Sequence, residues 1–225
     1  MMKRDALFNM VEQQIRPWDV HGPEILKALH DFPRVDFLPA NLKPFAYMDV
    51  ELPLDINGQD THTKLMPPRL LARILQELDL KGTENVALVG LGDGYLATLI
   101  AYFSRAITAF EINEHIMQFA QENLNDAGVH NISYEFADGL KASTDKFDVV
   151  VLAGSITQLT PALLHKIEVG GQMFAVIGKA DSPSMCATLI TRTGEAAWSQ
   201  KVLFETVLAP LTQATEPSSA TTFTF

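Results

Sequence analysis

Apolar residues recur at helical spacing through the first 80 positions. In "RDALFNMVEQQI", Leu7, Met10, Val11 and Ile15 fall on one helical face, and Arg16-Pro17 ends the run. "GPEILKALHDF" groups Ile25, Leu26, Leu29 and Phe32 behind Pro23. "PPRLLARILQELDL" groups Leu70, Leu71, Ile74, Leu75 and Leu78 behind Pro67 and Pro68, a favoured way to open a helix. Three helices are therefore predicted. Between the last two, "FAYMDVELPLDINGQDTHTKLM" reads as an irregular connection that ends in a polar segment.

From residue 85 the period changes. Short apolar runs at Val86–Val89, Ala106–Phe110, Ile132–Phe136 and Val149–Leu152 alternate with helical patterns that begin near Tyr95, Glu114 and Thr160. Such alternation predicts a mainly parallel sheet covered on both faces. Three strand-like runs then follow without helices between them: "GGQMFAVIG", "SMCATLITRTG" and "SQKVLFETVLAPL". Hairpins are expected to join them. The tail "TEPSSATTFTF" is polar except for Phe223 and Phe225, which are expected to pin it to the body. The predicted architecture is α/β, a doubly wound, mainly parallel seven-stranded sheet with an N-terminal helical extension and a C-terminal antiparallel hairpin region. Residues 1–225 are expected to form a single domain, with 1–80 as a helical lid and substrate segment over an 81–225 core.

Composition narrows the partners. Of the 225 residues, 47% are hydrophobic and 20% charged, enough apolar surface for a sizeable core. A net charge of −10 argues against nucleic acid and anionic membranes, both of which favour a basic face. With Cys186 the single cysteine, neither an internal disulfide nor a cysteine-based zinc site can form. Its strand-like surroundings predict a core position. The first 19 residues carry Lys3, Arg4, Asp5 and Glu12 and no long apolar stretch, which predicts no secretory signal there. No window approaches the roughly 20 apolar residues of a membrane span. The expected location is cytoplasmic.

The chemistry concentrates in "ENVALVGLGDGYLATLIA". An apolar run meets Gly90-Leu91-Gly92-Asp93-Gly94, and a helical pattern starts at once with Tyr95. Strand, glycine turn and helix N-terminus are how α/β proteins grip nucleotide-like ligands, although a short glycine motif can also be a plain turn. The dinucleotide fingerprint is Gly-x-Gly-x-x-Gly. Here Tyr95 stands in the place of its third glycine, where a bulky ring obstructs close helix packing. The shorter spacing suits S-adenosylmethionine, which has no phosphates and lays its methionine part over the loop backbone.

Two acids extend this reading. Glu111 ends the next strand, about 20 residues beyond the glycine turn, where a carboxylate accepts from ribose hydroxyls. Asp138-Gly139 follows the third strand, where a carboxylate can accept from an adenine amine. Taken singly, the first reads equally as a solvated strand-end acid and the second as a turn. Elsewhere there is no Gly-x-Ser-x-Gly elbow, no His-Glu-x-x-His and no lysine in the glycine loop. His21, His30, His115, His130 and His165 show no metal-ligand spacing.

These residues resemble a class I S-adenosylmethionine-dependent methyltransferase and, within that class, the protein-L-isoaspartate O-methyltransferase family. "MVEQQIRPWDV" is similar to the family's N-terminal helix, and "FPRVDFLPA" to its Pro-Arg-x-x-Phe-x-Pro segment. "AYMDVELPL" with "NGQ" resembles the stretch before the active-site segment, and "VGGQMFAVIG" the segment after the fourth helix. The resemblance implies a Rossmann-like methyltransferase fold. It implies S-adenosylmethionine held by Gly90, Leu91, Gly92, Asp93, Gly94, Glu111, Ile112, Asp138 and Gly139. It implies methyl transfer to the free carboxylate of isoaspartyl residues in damaged proteins.

Two positions depart from the family pattern. The acid that usually ends the first strand is replaced by Leu88. Asp93 either compensates, by attracting the donor's ammonium or sulfonium, or simply caps the following helix. The Ser or Thr that works at the substrate carboxylate is replaced by Met66. Thr61, His62 and Thr63 either bring a hydroxyl or imidazole into the cleft or are exposed loop residues. A changed acceptor, such as a small-molecule acid, and a non-catalytic binding module therefore stay open as alternatives.

Overall fold

Residues 2–141 and 144–211 are described by a computed structural model. Helix α1 (Met2–Asn9) runs into a π-helical turn, Met10–Ile15, that buries Met10, Val11 and Ile15 completely before Pro17 stops it. Helix α2 (Pro23–Asp31) follows, with Leu26 and Leu29 turned inward. The stretch expected to be irregular contains an antiparallel hairpin, β1 (Leu52–Ile56) and β2 (Gln59–Leu65). Leu52, Leu54 and Ile56 alternate with polar or exposed positions and are buried, the period of a half-buried strand. Asn57 and Gly58 at the tip both take positive φ, 55° and 81°, as a two-residue type I′ turn requires. Local strand alternation and turn chemistry thus override the helical character of the surrounding sequence. Helix α3 (Pro68–Leu78) then buries the predicted Leu70, Leu71, Ile74, Leu75 and Leu78.

The alternating region forms the sheet. Its parallel strands are β3 (Asn85–Val89), β4 (Ala106–Glu111), β5 (Ile132–Phe136), β6 (Phe147–Ile156) and β7 (Ile167–Ile177). Helices α4 (Tyr95–Phe103), α5 (Glu114–Asp126) and α6 (Pro161–His165) connect them. Asn113 caps α5 through the amides of His115 and Ile116, and Thr160 caps α6 through Leu163. Strands β8 (Met185–Gly194) and β9 (Ala197–Thr206) finish the sheet as antiparallel hairpins. The order β5-β4-β3-β6-β7-β8-β9 is the doubly wound, mainly parallel seven-stranded sheet that the sequence predicts.

One face packs α4 against the N-terminal helices: Leu71, Ile74 and Leu78 share a buried cluster with Leu96, Leu99 and Ile100. The other face buries Val89, Phe110, Leu152, Leu163, Ile167 and Met173. Polar clamps fix the layers. Gln172 Nε2 donates to the Leu78 carbonyl at 2.6 Å, and Asn123 Nδ2 donates to the carbonyls of both Phe37 and Asp93 at 2.8 Å. Cys186, expected in the core, is only half-buried, because β8 is near the sheet edge and turns Met185 and Ala187 inward instead.

After β9 the chain crosses back over the sheet end. Ser155 N–H donates to Ala209 O at 2.9 Å, Leu211 N–H donates to Ser155 O at 3.0 Å, and Ser155 Oγ donates to Leu208 O at 2.8 Å. Phe223 and Phe225 lie outside the described residues. No helix among the described residues is long and apolar enough to cross a membrane.

Candidate active site

A cleft opens at the carboxyl ends of β3, β4 and β6. Strand β3 lies between β4 and β6, so the connections leave it in opposite directions, and α/β sheets bind ligands at such a reversal. Gly90, Gly92 and Gly94 hold φ of 91°, 55° and 83°, conformations that side chains resist. Gly94 serves packing: a Cβ there would meet the Ala120 carbonyl oxygen of α5 at 3.1 Å. Gly90, Leu91, Gly92 and Asp93 border the cleft, and Gly94 stands behind them at the start of α4.

Glu111 is the loop's anchor. Its Oε2 accepts the Leu91 amide at 3.0 Å, and Oε1 accepts those of Ile112 at 2.8 Å and Asn113 at 3.0 Å. An ionised carboxylate has about four acceptor directions, so three amides fix it while leaving one for another partner. Across the cleft Asp138 Oδ1 accepts the Leu140 amide at 3.0 Å and shapes the turn. A Cβ on Gly139 would come within 2.8 Å of both Val89 Cγ2 and Phe110 Cβ, so the close approach of this turn to β3 and β4 demands glycine. Ile112 also borders the cleft.

The two readings of Asp93 divide between its oxygens. Oδ1 accepts the Tyr95 amide at 3.0 Å, a cap-like bond, while Oδ2 is buried without a partner. Burial holds the carboxyl above the ordinary aspartate value, with the Arg34 charge opposing that rise. Arg34 is completely buried, and its Nη2 donates to the Met66 carbonyl at 2.9 Å. Burial lowers its pKa, and the charges of Asp93, Tyr95 and Asp49 oppose that shift. Tyr95, also wholly buried, packs on Phe37 with ring centroids 5.0 Å apart. Its phenol is pushed up by desolvation. Leu88 is buried inside β3 and contributes no charge.

The hairpin closes one side. Residues 61 and 62 form a bulge: Leu54 pairs with Thr63 and Asp55 with Asp60, leaving Thr61 and His62 unmatched. Thr61 Oγ1 donates to the Leu54 carbonyl at 2.7 Å. His62, at φ 56°, points to solvent beside Asp60. Neither borders the cleft. Thr63 does, and its hydroxyl makes only a 3.5 Å contact with the Thr61 carbonyl. Met66 also borders the cleft, and Leu65 Cδ2 lies 3.1 Å from where a Gly92 Cβ would stand. Opposite, Pro210 and Leu211 line the wall, with Leu211 Cδ2 3.1 Å from a Cβ position on Gly90.

Arg34, Pro210 and Leu211 are cleft residues that sequence reasoning missed. Arg34 lies in the quoted "FPRVDF", but a lone arginine carries no signal of burial. The 207–211 strap meets the loop only through the tertiary fold. The residues present fit a methyl donor: a glycine cradle that a Cβ would fill, and one acid at each of two successive strand tips.

A glycine loop at the reversal of a doubly wound sheet, with acids on the next two strand ends, defines an S-adenosylmethionine-dependent methyltransferase of Rossmann-like fold. The family model for protein-L-isoaspartate(D-aspartate) O-methyltransferase matches residues 5–216, and the chain belongs to that family. It is 28% identical over 204 residues to the protein-L-isoaspartate O-methyltransferase of Rhodopseudomonas palustris, covering 90% of this chain and 91% of the relative. Against the Herpetosiphon aurantiacus protein of the same name it is 30% identical over 204 residues, covering 90% and 88%. Among solved structures, a Plasmodium falciparum protein-L-isoaspartate O-methyltransferase in complex with S-adenosyl-L-homocysteine superposes with a TM-score of 0.74 at 15% identity, covering 92% of this chain and 98% of that one. Another protein-L-isoaspartate O-methyltransferase gives 0.75 at 19% identity, covering 92% and 65%. At these identities the structures speak for the fold.

Proposed function

We propose that this chain methylates the free carboxylate of isoaspartyl residues in proteins, with S-adenosylmethionine lying across Gly90–Asp93. The observation that carries the reading is Glu111: its carboxylate is locked by a glycine-loop amide and faces the same cleft as Asp138. Its free acceptor direction takes a ribose hydroxyl, Asp138 takes the adenine amine, and Ile112 packs on the nucleoside.

S-adenosylmethionine supplies a methyl group on a positively charged sulfur, which an ionised carboxylate accepts without any proton transfer. The chain's residues therefore have to align and to keep water out. Leu65, Met66 and Leu211 provide apolar walls on both sides of the loop. We assign orientation of the acceptor to Thr63, the one of the three hydroxyl and imidazole candidates that borders the cleft. Thr61 is committed to the hairpin and His62 to solvent.

Calorimetric titration with S-adenosylhomocysteine tests the donor assignment. Glu111→Ala removes a charged acceptor and should weaken binding roughly 10- to 150-fold, the equivalent of one charged hydrogen bond. Asp138→Ala should weaken it by about 10-fold. Wild-type affinity in both variants would place the donor elsewhere.

A further inference from the structure

The cleft is acidic where a carboxylate acceptor has to enter. Asp93, Glu111 and Asp138 line it, and the whole chain carries a net charge of −10. A carboxylate approaching such a surface is repelled unless a cation receives it. Among the described residues two cations border the cleft, Arg34 and Lys64. Arg34 is completely buried and turned to the Met66 carbonyl. Lys64 is the accessible one, with 56% of its side chain exposed. It follows Thr63 on β2 and pairs across the hairpin with the exposed Pro53, so it stands on the outer face of the hairpin wall.

The ammonium is held there only weakly. Nζ lies 3.7 Å from Glu51 Oε2, an exposed pair near the outer limit of contact, and such pairs contribute little. Glu51 does not depend on it, because Oε1 is already engaged by the Ala209 amide at 2.9 Å. Lys64 can therefore exchange Glu51 for another carboxylate, swinging on its flexible four-carbon stem. We infer that Lys64 is a specificity residue: at the cleft mouth it receives the free carboxylate of the acceptor and makes the chain prefer an anionic acceptor over a neutral one. This rests on the reading of the acceptor as an isoaspartyl carboxylate. Lys64 acts at longer range than the Thr63 hydroxyl, since attraction between charges persists over roughly 8 Å at physiological salt. Methyl transfer turns the carboxylate into a neutral ester, so the product loses this attraction and Lys64 returns to Glu51.

The test measures binding rather than turnover. Two fluorescently labelled peptides, identical except that the free carboxylate of the isoaspartyl residue is a carboxamide in one, are titrated with the protein in the presence of S-adenosylhomocysteine. Wild type should bind the acid about 5- to 20-fold more tightly at low salt, between the worth of an exposed ion pair and that of a buried charged hydrogen bond. The preference should shrink as salt is raised. Lys64→Met should bind the two peptides within about two-fold of each other, Lys64→Arg should keep the preference, and Lys64→Glu should reverse it. Because Lys64 is exposed, all three variants should keep the melting temperature and the S-adenosylhomocysteine affinity close to wild type. Equal binding of the two peptides by wild type, or binding of neither, overturns the inference. A preference for the acid that survives in Lys64→Met or Lys64→Glu overturns it too. A Lys64-dependent preference for the acid with no methyl transferred to it would support the inference and remove the isoaspartyl methylation reading instead.

Discussion

The carboxylate of Glu51 accepts the backbone amide of Ala209 at 2.9 Å, across 158 positions of the chain. It joins the residue before the hairpin to the strap that follows the last strand. Lys64 Nζ stands 3.7 Å from the same carboxylate. Through this bond the two walls of the cleft, Thr63–Met66 and Ala209–Leu211, are held in register over the glycine loop. Glu51→Ala should release the strap locally. With Glu51 about a quarter exposed, the loss is put at roughly 1 kcal/mol, or about five-fold faster hydrogen exchange at the Ala209 amide. Amides within β3 should keep their wild-type rates. Unchanged exchange at Ala209 would show that Ser155 alone holds the strap.

Asp93 makes a pH-dependent prediction. Its folded-state pKa is raised above the ordinary 3.8 by burial, so the ionised form costs stability. The cost is full only above that raised value. It fades as pH falls through the raised folded pKa and is gone below the unfolded value. Asp93→Asn keeps the Oδ1 bond to Tyr95 and removes the charge. It should melt higher than wild type at pH 7, by a margin that shrinks toward pH 4. A constant margin across that range would mean that Asp93 is not the titrating group. A more stable variant with a poorer donor site would also show that the charge serves binding rather than folding.

Gly139 has no room for a side chain. In Gly139→Ala the new methyl must displace Val89 or Phe110, both part of the sheet core, at a cost of about 1–3 kcal/mol. Because the same shift moves Asp138, donor affinity should fall together with the melting temperature. A variant with wild-type affinity and melting would mean that the turn relaxes freely.

Thr63 and Met66 can be separated kinetically. Thr63→Val should lower kcat on an isoaspartyl peptide roughly 10-fold or more, the worth of one hydrogen bond to a carboxylate, and leave the donor's affinity alone. Met66→Ser leaves the backbone carbonyl that Arg34 holds and adds a hydroxyl on the same cleft wall. Adding it to Thr63→Val should restore part of the lost rate. No effect of Thr63→Val on kcat would remove that residue from acceptor binding.

Periodicity carried much of this fold. The helix of Leu70, Leu71, Ile74, Leu75 and Leu78 and the strands β3, β4 and β6 are regular because each buries one face or both, while β5 half-buries Ile132 and Tyr134 on one face, and burial imposes a period. The glycine loop and the acids at the next two strand tips were legible for the same reason, since local sequence places them at strand ends. The hairpin was hidden by its polar second strand, although Asn57-Gly58 with alternating Leu52, Leu54 and Ile56 carries the signal. Arg34 meeting Met66 and Leu211 meeting Gly90 have no local pattern at all. They are contacts between segments tens to more than a hundred residues apart, settled only by packing.

The central claim is that this cleft methylates isoaspartyl carboxylates. The direct measurement is transfer of radiolabelled methyl from S-adenosylmethionine to two peptides that differ only in carrying isoaspartate or aspartate at one position. Label should enter the isoaspartyl peptide alone, as a base-labile methyl ester. Equal labelling of both peptides, or donor binding with no peptide labelled, would contradict the claim and direct the search to a small-molecule acid or to a binding role.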